Sequence, residues 1–224
     1  MNEQEIFHLL QEELKRFKYN KSNLTKSNTG DGRGESSESE RKFCEALKKF
    51  LDDNTPFTAK IPAPRHWYDI AIYYENFFLP INVKLTDAKT ADNISSKLGL
   101  FYTLTGINPE NNSKGLTRWY SYNQTLVENY NYDTEADYYL LVYNKITEDI
   151  LLSSLKRVNK LVSNGSNLPF QCNWGCTENH VPTTRNKKEQ CEYLMLTFIE
   201  SWEKRIQMES YNFLLAWRDS YNEQ

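Results

Sequence analysis

The stretch Tyr68–Leu85, YDIAIYYENFFLPINVKL, constrains the fold more than any other part of the chain. It reads as two β-strands joined by a turn at Glu75-Asn76, with an acid, Asp69, at the mouth of the first strand and Lys84 inside the second. Strand side chains alternate between faces, so Asn82 and Lys84 point the same way and Asp69 can meet them across the hairpin. So many Ile, Tyr, Phe, Leu and Val residues predict a half-buried hairpin. An acid and an ammonium placed inside it need partners or a purpose.

Asp69, a turn, then Asn82-Val83-Lys84 resembles the active-site signature of the PD-(D/E)XK nucleases, and in particular of the type II restriction endonucleases. The run LPINVKLTDAKTADNISSKLGLFYTLTG, in which a strand carrying that Lys passes into a helix, strengthens the likeness. It spans residues 36–106, with a vaguer likeness near Gln171–Trp202. The resemblance implies an α/β fold of the restriction-endonuclease kind, a mixed β-sheet of about five strands flanked by helices. It also implies a sequence-specific, Mg²⁺-dependent endonuclease of a restriction-modification system that hydrolyses double-stranded DNA and leaves 5′-phosphate ends. A homodimer reading a palindrome and a bacterial cytoplasmic location follow from the same likeness.

In that scheme Asp69, with Glu40 or Asn82, holds the metal ion, and Lys84 orients the attacking water and offsets charge in the transition state. Two positions depart from the family pattern. Tyr68 stands where Pro is usual, a mild change. Asn82 stands where Asp or Glu is usual, and an amide oxygen can ligate Mg²⁺ but carries no charge. Another acid has to compensate. Glu40 lies one turn before Phe43 and Cys44, on the apolar face that Phe43, Leu47, Phe50 and Leu51 give to a helix from Ser37 to Leu51. Related nucleases often carry an active-site Glu on the helix before the first core strand. The competing reading is a capping box, with Ser37 at the helix start and Glu40 folded back onto it. Glu75 is roughly 20 Å along the strand from Asp69, too far to share an ion; Asp87 stays in reserve, and Asp92 falls in the next predicted helix.

Two rivals remain: a structure-specific repair or recombination nuclease of the same superfamily, and a catalytically inactive relative that only binds DNA. Asn82 makes the second credible. The formal net charge of −3 argues against a general nucleic-acid coat, whose affinity comes from neutralising phosphates. Charge is unevenly spread, however. Between Ser154 and Gln190 the cations Lys156, Arg157, Lys160, Arg185, Lys187 and Lys188 outnumber Glu178 and Glu189, whereas the segment Asn108–Asp149 is acidic. Such a molecule can present one side to DNA.

The chain reads as a single nuclease domain, residues 1–224. An amphipathic helix occupies 1–19, and a flexible polar loop, with Lys21, Lys26 and Arg33, occupies 20–36. The catalytic core covers 37–155: strands at Phe57–Ile61, Trp67–Tyr74, Asp137–Lys145 and Asp149–Leu155 join the strand of Lys84, and helices are predicted at Thr90–Leu104 and Leu116–Tyr130. Lys89, Asn93 and Lys97 surround the first of those helices and could touch phosphates. Residues 156–186 form a candidate recognition segment. There Gln171 and Asn173 have the side chains that read adenine, and Arg185 could read guanine or a phosphate; loop-backbone contacts are the alternative for each.

From Lys187 to about Tyr221 a long helix carries more apolar residues than one packing face needs, including Phe213, Leu214 and Trp217, so part of it suits a subunit interface. Cys172, Cys176 and Cys191 with His180 lack zinc-site spacing. No run of ~18 apolar residues appears, so no membrane span is expected. A soluble, intracellular protein with reduced thiols is the expectation.

Overall fold

The computed structural model describes residues 1–20, 32–94, 96–112 and 115–222, except for the side chains of residues 32–36, 112 and 210–222. Its centre is a mixed five-stranded sheet. The strands β1 (Thr58–Lys60), β2 (Ile70–Tyr74) and β3 (Phe77–Thr86) form an antiparallel meander. Glu75 takes a left-handed φ of 51° at the β2–β3 turn, at the expected Glu75-Asn76 position. The chain then crosses over through β4 (Asp92–Ile94), α3 (Lys97–Thr105) and α4 (Trp119–Glu128). It returns as β5 (Tyr139–Asn144), parallel to β3, and β6 (Ile150–Ser154) closes the sheet antiparallel to β5. Pro80 is tolerated inside the central strand because β5 pairs with β3 only from Ile81 onward.

Alternation along these strands produces two cores. Ile70, Ile72, Ile81, Val83 and Leu141 face one side and meet α1 (Glu3–Arg16) and α2 (Gly32–Asn54). Phe43, Leu47 and Leu51 of α2 are fully buried there, each stabilising the fold by about 2 kcal/mol. Ala71, Leu140 and Val142 face the other side, with Leu100, Phe101 and Leu104 of α3 and Leu194 and Phe198 of α5 (Lys187–Asn222). By alternation, Asp69, Asn82 and Lys84 belong to this second face. A small sheet, β4–β8–β7, with β7 at Leu161–Val162 and β8 at Phe170–Cys172, lies beside it.

Several expected boundaries move. The helix expected at Ser37 starts at Gly32, so Ser37 lies inside α2 and cannot cap it. The rest of the expected loop, with Lys21 and Lys26, lies outside the described residues, as does the side chain of Arg33. The single helix expected at Thr90–Leu104 is a strand followed by a shorter helix. Asp92–Ile94 is captured by backbone pairing with β8, and Ser96 caps α3 by accepting the Gly99 N–H at 2.9 Å. Within the candidate recognition segment, residues 156–186, Leu161–Val162 is likewise drawn into β7. The C-terminal helix runs unbroken for 36 residues, with Leu196, Ile199 and Ile206 exposed along it. The side chains of Phe213, Leu214 and Trp217 lie outside those described. No described helix is long and apolar enough to cross a membrane.

Candidate active site

The β2–β3 hairpin brings the polar residues together as its register requires. Asp69 precedes β2, and its N–H donates to the Ile81 carbonyl at 2.9 Å, which sets its side chain beside Asn82 and Val83. Asp69 Oδ2 accepts the Asn82 amide at 2.9 Å and the Val83 N–H at 2.7 Å. These are charge-assisted bonds when the carboxylate is ionised. Lys84, two residues further, is on the same face.

Strand β3 outruns its neighbour here. Its last pairing with β2 is at Ile81, and from Asn82 to Thr86 it pairs with β5 alone. The free edge is where α2 arrives. Glu40 Oε1 lies 3.5 Å from Lys84 Nζ, and each side chain is only 18% exposed. Glu40 reaches this point because Phe43 and Leu47, one and two turns further along α2, are locked into the core beneath it. Of the two readings of Glu40, contact with the hairpin is the one present.

Backbone and aromatic contacts hold the approach to Asp69. The Trp67 carbonyl accepts both Tyr138 Oη–H at 2.6 Å and Ser96 Oγ–H at 2.9 Å. Gly99 is required for this packing: a Cβ there would lie 2.5 Å from the Tyr138 ring. Burial pushes the Asp69 carboxyl above the usual range for an aspartate, against the pull of Lys84 and the Val83 N–H. Asp92 is also raised by burial, opposed by Thr86 and Lys84, and its Oδ2 makes no hydrogen bond. Asp92 therefore lies within the electrostatic reach of Lys84, on β4 instead of the expected helix. Its capture by β8 is a long-range event that local sequence periodicity does not reveal.

Of this group Glu40 and Asp69 line a cavity of about 350 Å³, with Arg41, Arg65, His66 and Tyr68 around them. Among the described residues no three His, Cys, Asp or Glu side chains cluster as a metal site. Mg²⁺ asks for less: it is held by one or two carboxylates and keeps waters and substrate phosphate oxygens as its other ligands. Two carboxylates and the Asn82 Oδ1, which is buried and accepts no hydrogen bond, suit that chemistry.

The residues considered for DNA contact are dispersed and mostly engaged. Gln171 Nε2 donates to Asn93 Oδ1 at 2.7 Å, joining β8 to β4. Asn173 Oδ1 accepts the Gly175 N–H at 2.9 Å, the loop-backbone role. The Arg185 guanidinium donates to the Asn159 carbonyl at 3.0 Å and to Gln190 Oε1 at 2.9 Å, and stacks 3.8 Å from the Tyr193 ring centroid. Lys97 donates to the Thr117 carbonyl at 2.8 Å and lies over Trp119; burial holds its ammonium below the usual lysine range. Lys89 is exposed beside Asp87, at 3.6 Å. The IPAPRH segment, residues 61–66, walls the cavity, yet only Ile61, at the end of an expected strand, is assigned to any element from the sequence. Its two prolines, at 62 and 64, are local turn formers and carry no titratable or ligating group.

No family model matches this chain, and comparison with curated proteins finds no match either.

Proposed function

We propose that this protein is a Mg²⁺-dependent endodeoxyribonuclease of the type II restriction kind. The observation that carries the proposal is the convergence of Asp69, Asn82, Lys84 and Glu40 at the open end of the β2–β3 hairpin. The mixed sheet flanked by helices supports it, because the resemblance in residues 36–106 implies such an architecture.

Asp69 and Glu40 would hold the cation, with the Asn82 amide oxygen as a neutral third donor. When bound, the ion supplies charge stabilisation at a phosphate oxygen and a more acidic water. Lys84 orients the attacking water and offsets the negative charge that grows on the phosphorane-like transition state. Its contact with Glu40 fixes the ammonium in place before substrate arrives, so little reorganisation is needed. The Val83 N–H and the Asn82 amide hold Asp69 Oδ2 in a set orientation.

Incubation of the purified protein with plasmid and phage DNA, in Mg²⁺ or EDTA, tests this. Discrete Mg²⁺-dependent fragments, absent with Lys84→Ala, are expected. Cleavage that persists in EDTA or in the Lys84→Ala protein would remove the assignment. The inactive DNA-binding reading is favoured by one observation: Asn82 spends its amide N–H on Asp69 and adds no second charge to the hairpin. DNA binding without turnover on any substrate would select it.

A further inference from the structure

The segment Ile61–His66, between β1 and β2, forms one wall of the cavity that holds Glu40 and Asp69. The His66 N–H donates to the Ala63 carbonyl at 3.3 Å, closing a four-residue turn with Pro64 second and Arg65 third. Arg65 has φ 69°. Proline followed by a left-handed residue is the pattern of a type II turn, whose third position favours Gly or Asn. An arginine there strains the backbone. Three other described non-glycine residues share that region: Glu75 and Glu148 in the β2–β3 and β5–β6 turns, and Ala88 after β3. Arg65 alone of the four lines the cavity.

No described residue gives the side chain a contact that would offset this strain. Among the described residues Arg65 is exposed and has no hydrogen bond, ion pair or ring contact. Neighbouring residues hold the turn in position: His66 Nε2 lies 2.8 Å from Glu110 Oε1, and Trp67 is fixed through its carbonyl. Arg41, the other arginine on the cavity, is already 3.2 Å from Glu45. A chain of net charge −3 does not draw a polyanion by its overall field, so phosphate contacts must come from local cations such as this one.

Resting on the nuclease reading, we propose that Arg65 binds a backbone phosphate of duplex DNA at the cavity rim, beside the phosphate presented to Asp69 and Glu40. The guanidinium fork suits two phosphate oxygens at once, which explains an arginine where the backbone favours glycine.

The test measures anisotropy of a labelled mixed-sequence duplex in EDTA, across a salt series, for wild type, Arg65→Ala, Arg65→Gly and Arg65→Lys. The Ala and Gly variants are expected to bind about tenfold more weakly, with the slope of log affinity against log salt flattened by about one; Lys should keep most of the slope. Arg65→Gly should melt no lower than wild type, since glycine adopts the left-handed turn without strain. Unchanged affinity and slope in the Ala and Gly variants would overturn this proposal while leaving the nuclease reading intact. A Gly variant that loses DNA only because it unfolds would also overturn it. A wild-type protein that neither binds DNA nor cuts it with Mg²⁺ would overturn both.

Discussion

Asn82 donates its amide N–H to Asp69 Oδ2 at 2.9 Å, while its own Oδ1 is buried without a hydrogen bond. Asn82 thus keeps Asp69 oriented while its own oxygen stays neutral and unpartnered among the described residues. The acid that faces the hairpin instead is Glu40, 3.5 Å from Lys84.

Loss of either charged end of the hairpin should stop the chemistry and spare the fold. Lys84→Ala and Asp69→Ala are expected to lower the cleavage rate by at least ~100-fold, the order that removal of one transition-state stabiliser costs. Far-UV circular dichroism should stay unchanged. Full activity in either variant would remove the assignment.

Glu40→Gln should cost far more activity than Asn82→Ala. The first removes a charge from beside Lys84 and the proposed cation; the second removes a neutral ligand and one hydrogen bond. Titrating Mg²⁺ against initial rate checks this. Glu40→Gln is expected to need ~10–100-fold more metal, as changes around a metal ligand typically do. The opposite ranking would return the principal metal role to Asn82.

Asp137 offers a pH test remote from the proposed chemistry. Burial, opposed by Lys156, pushes its carboxyl up from an ordinary value of 3.8 to about 6. The folded state therefore holds a proton that the unfolded chain releases earlier. This contribution to stability is complete below pH 3.8 and is lost as pH rises through about 6. Asp137 Oδ1 accepts the Tyr138 and Lys156 N–H groups, at 2.8 and 3.2 Å, and an Asn oxygen can do the same. Asp137→Asn should flatten the pH dependence of urea stability between those values. A slope identical to wild type would contradict the assignment.

Gly99→Ala should disturb the floor beneath the site. The added methyl would lie 2.5 Å from the Tyr138 ring, whose hydroxyl holds the Trp67 carbonyl two residues before Asp69. Overpacking of this kind costs about 2 kcal/mol. Chemical denaturation should show that loss, with reduced cleavage at temperatures where the variant remains folded. Wild-type stability would mean that Tyr138 moves aside freely.

Much of this was legible because the signal was local. Strand alternation put Asn82 and Lys84 on one face, and the Glu75-Asn76 turn brought Asp69 opposite them. The stripe of Phe43, Leu47 and Leu51 marked the buried side of α2 and set Glu40 on it. Where long-range pairing intervened, periodicity misled: Asp92–Ile94 sat in an apparent helix until β8 supplied a partner for its backbone.

The sequence alone therefore determined the hairpin, the helix faces and the residues available for chemistry, since side-chain period and turn propensity act over a few neighbouring residues. Tertiary structure decided which of them meet. Glu40 and Lys84 are 44 residues apart, and their contact exists because α2 docks its apolar stripe on the sheet just where β3 outruns β2. Arg65 gained its place at the cavity in the same way, through the packing of the turn that carries it.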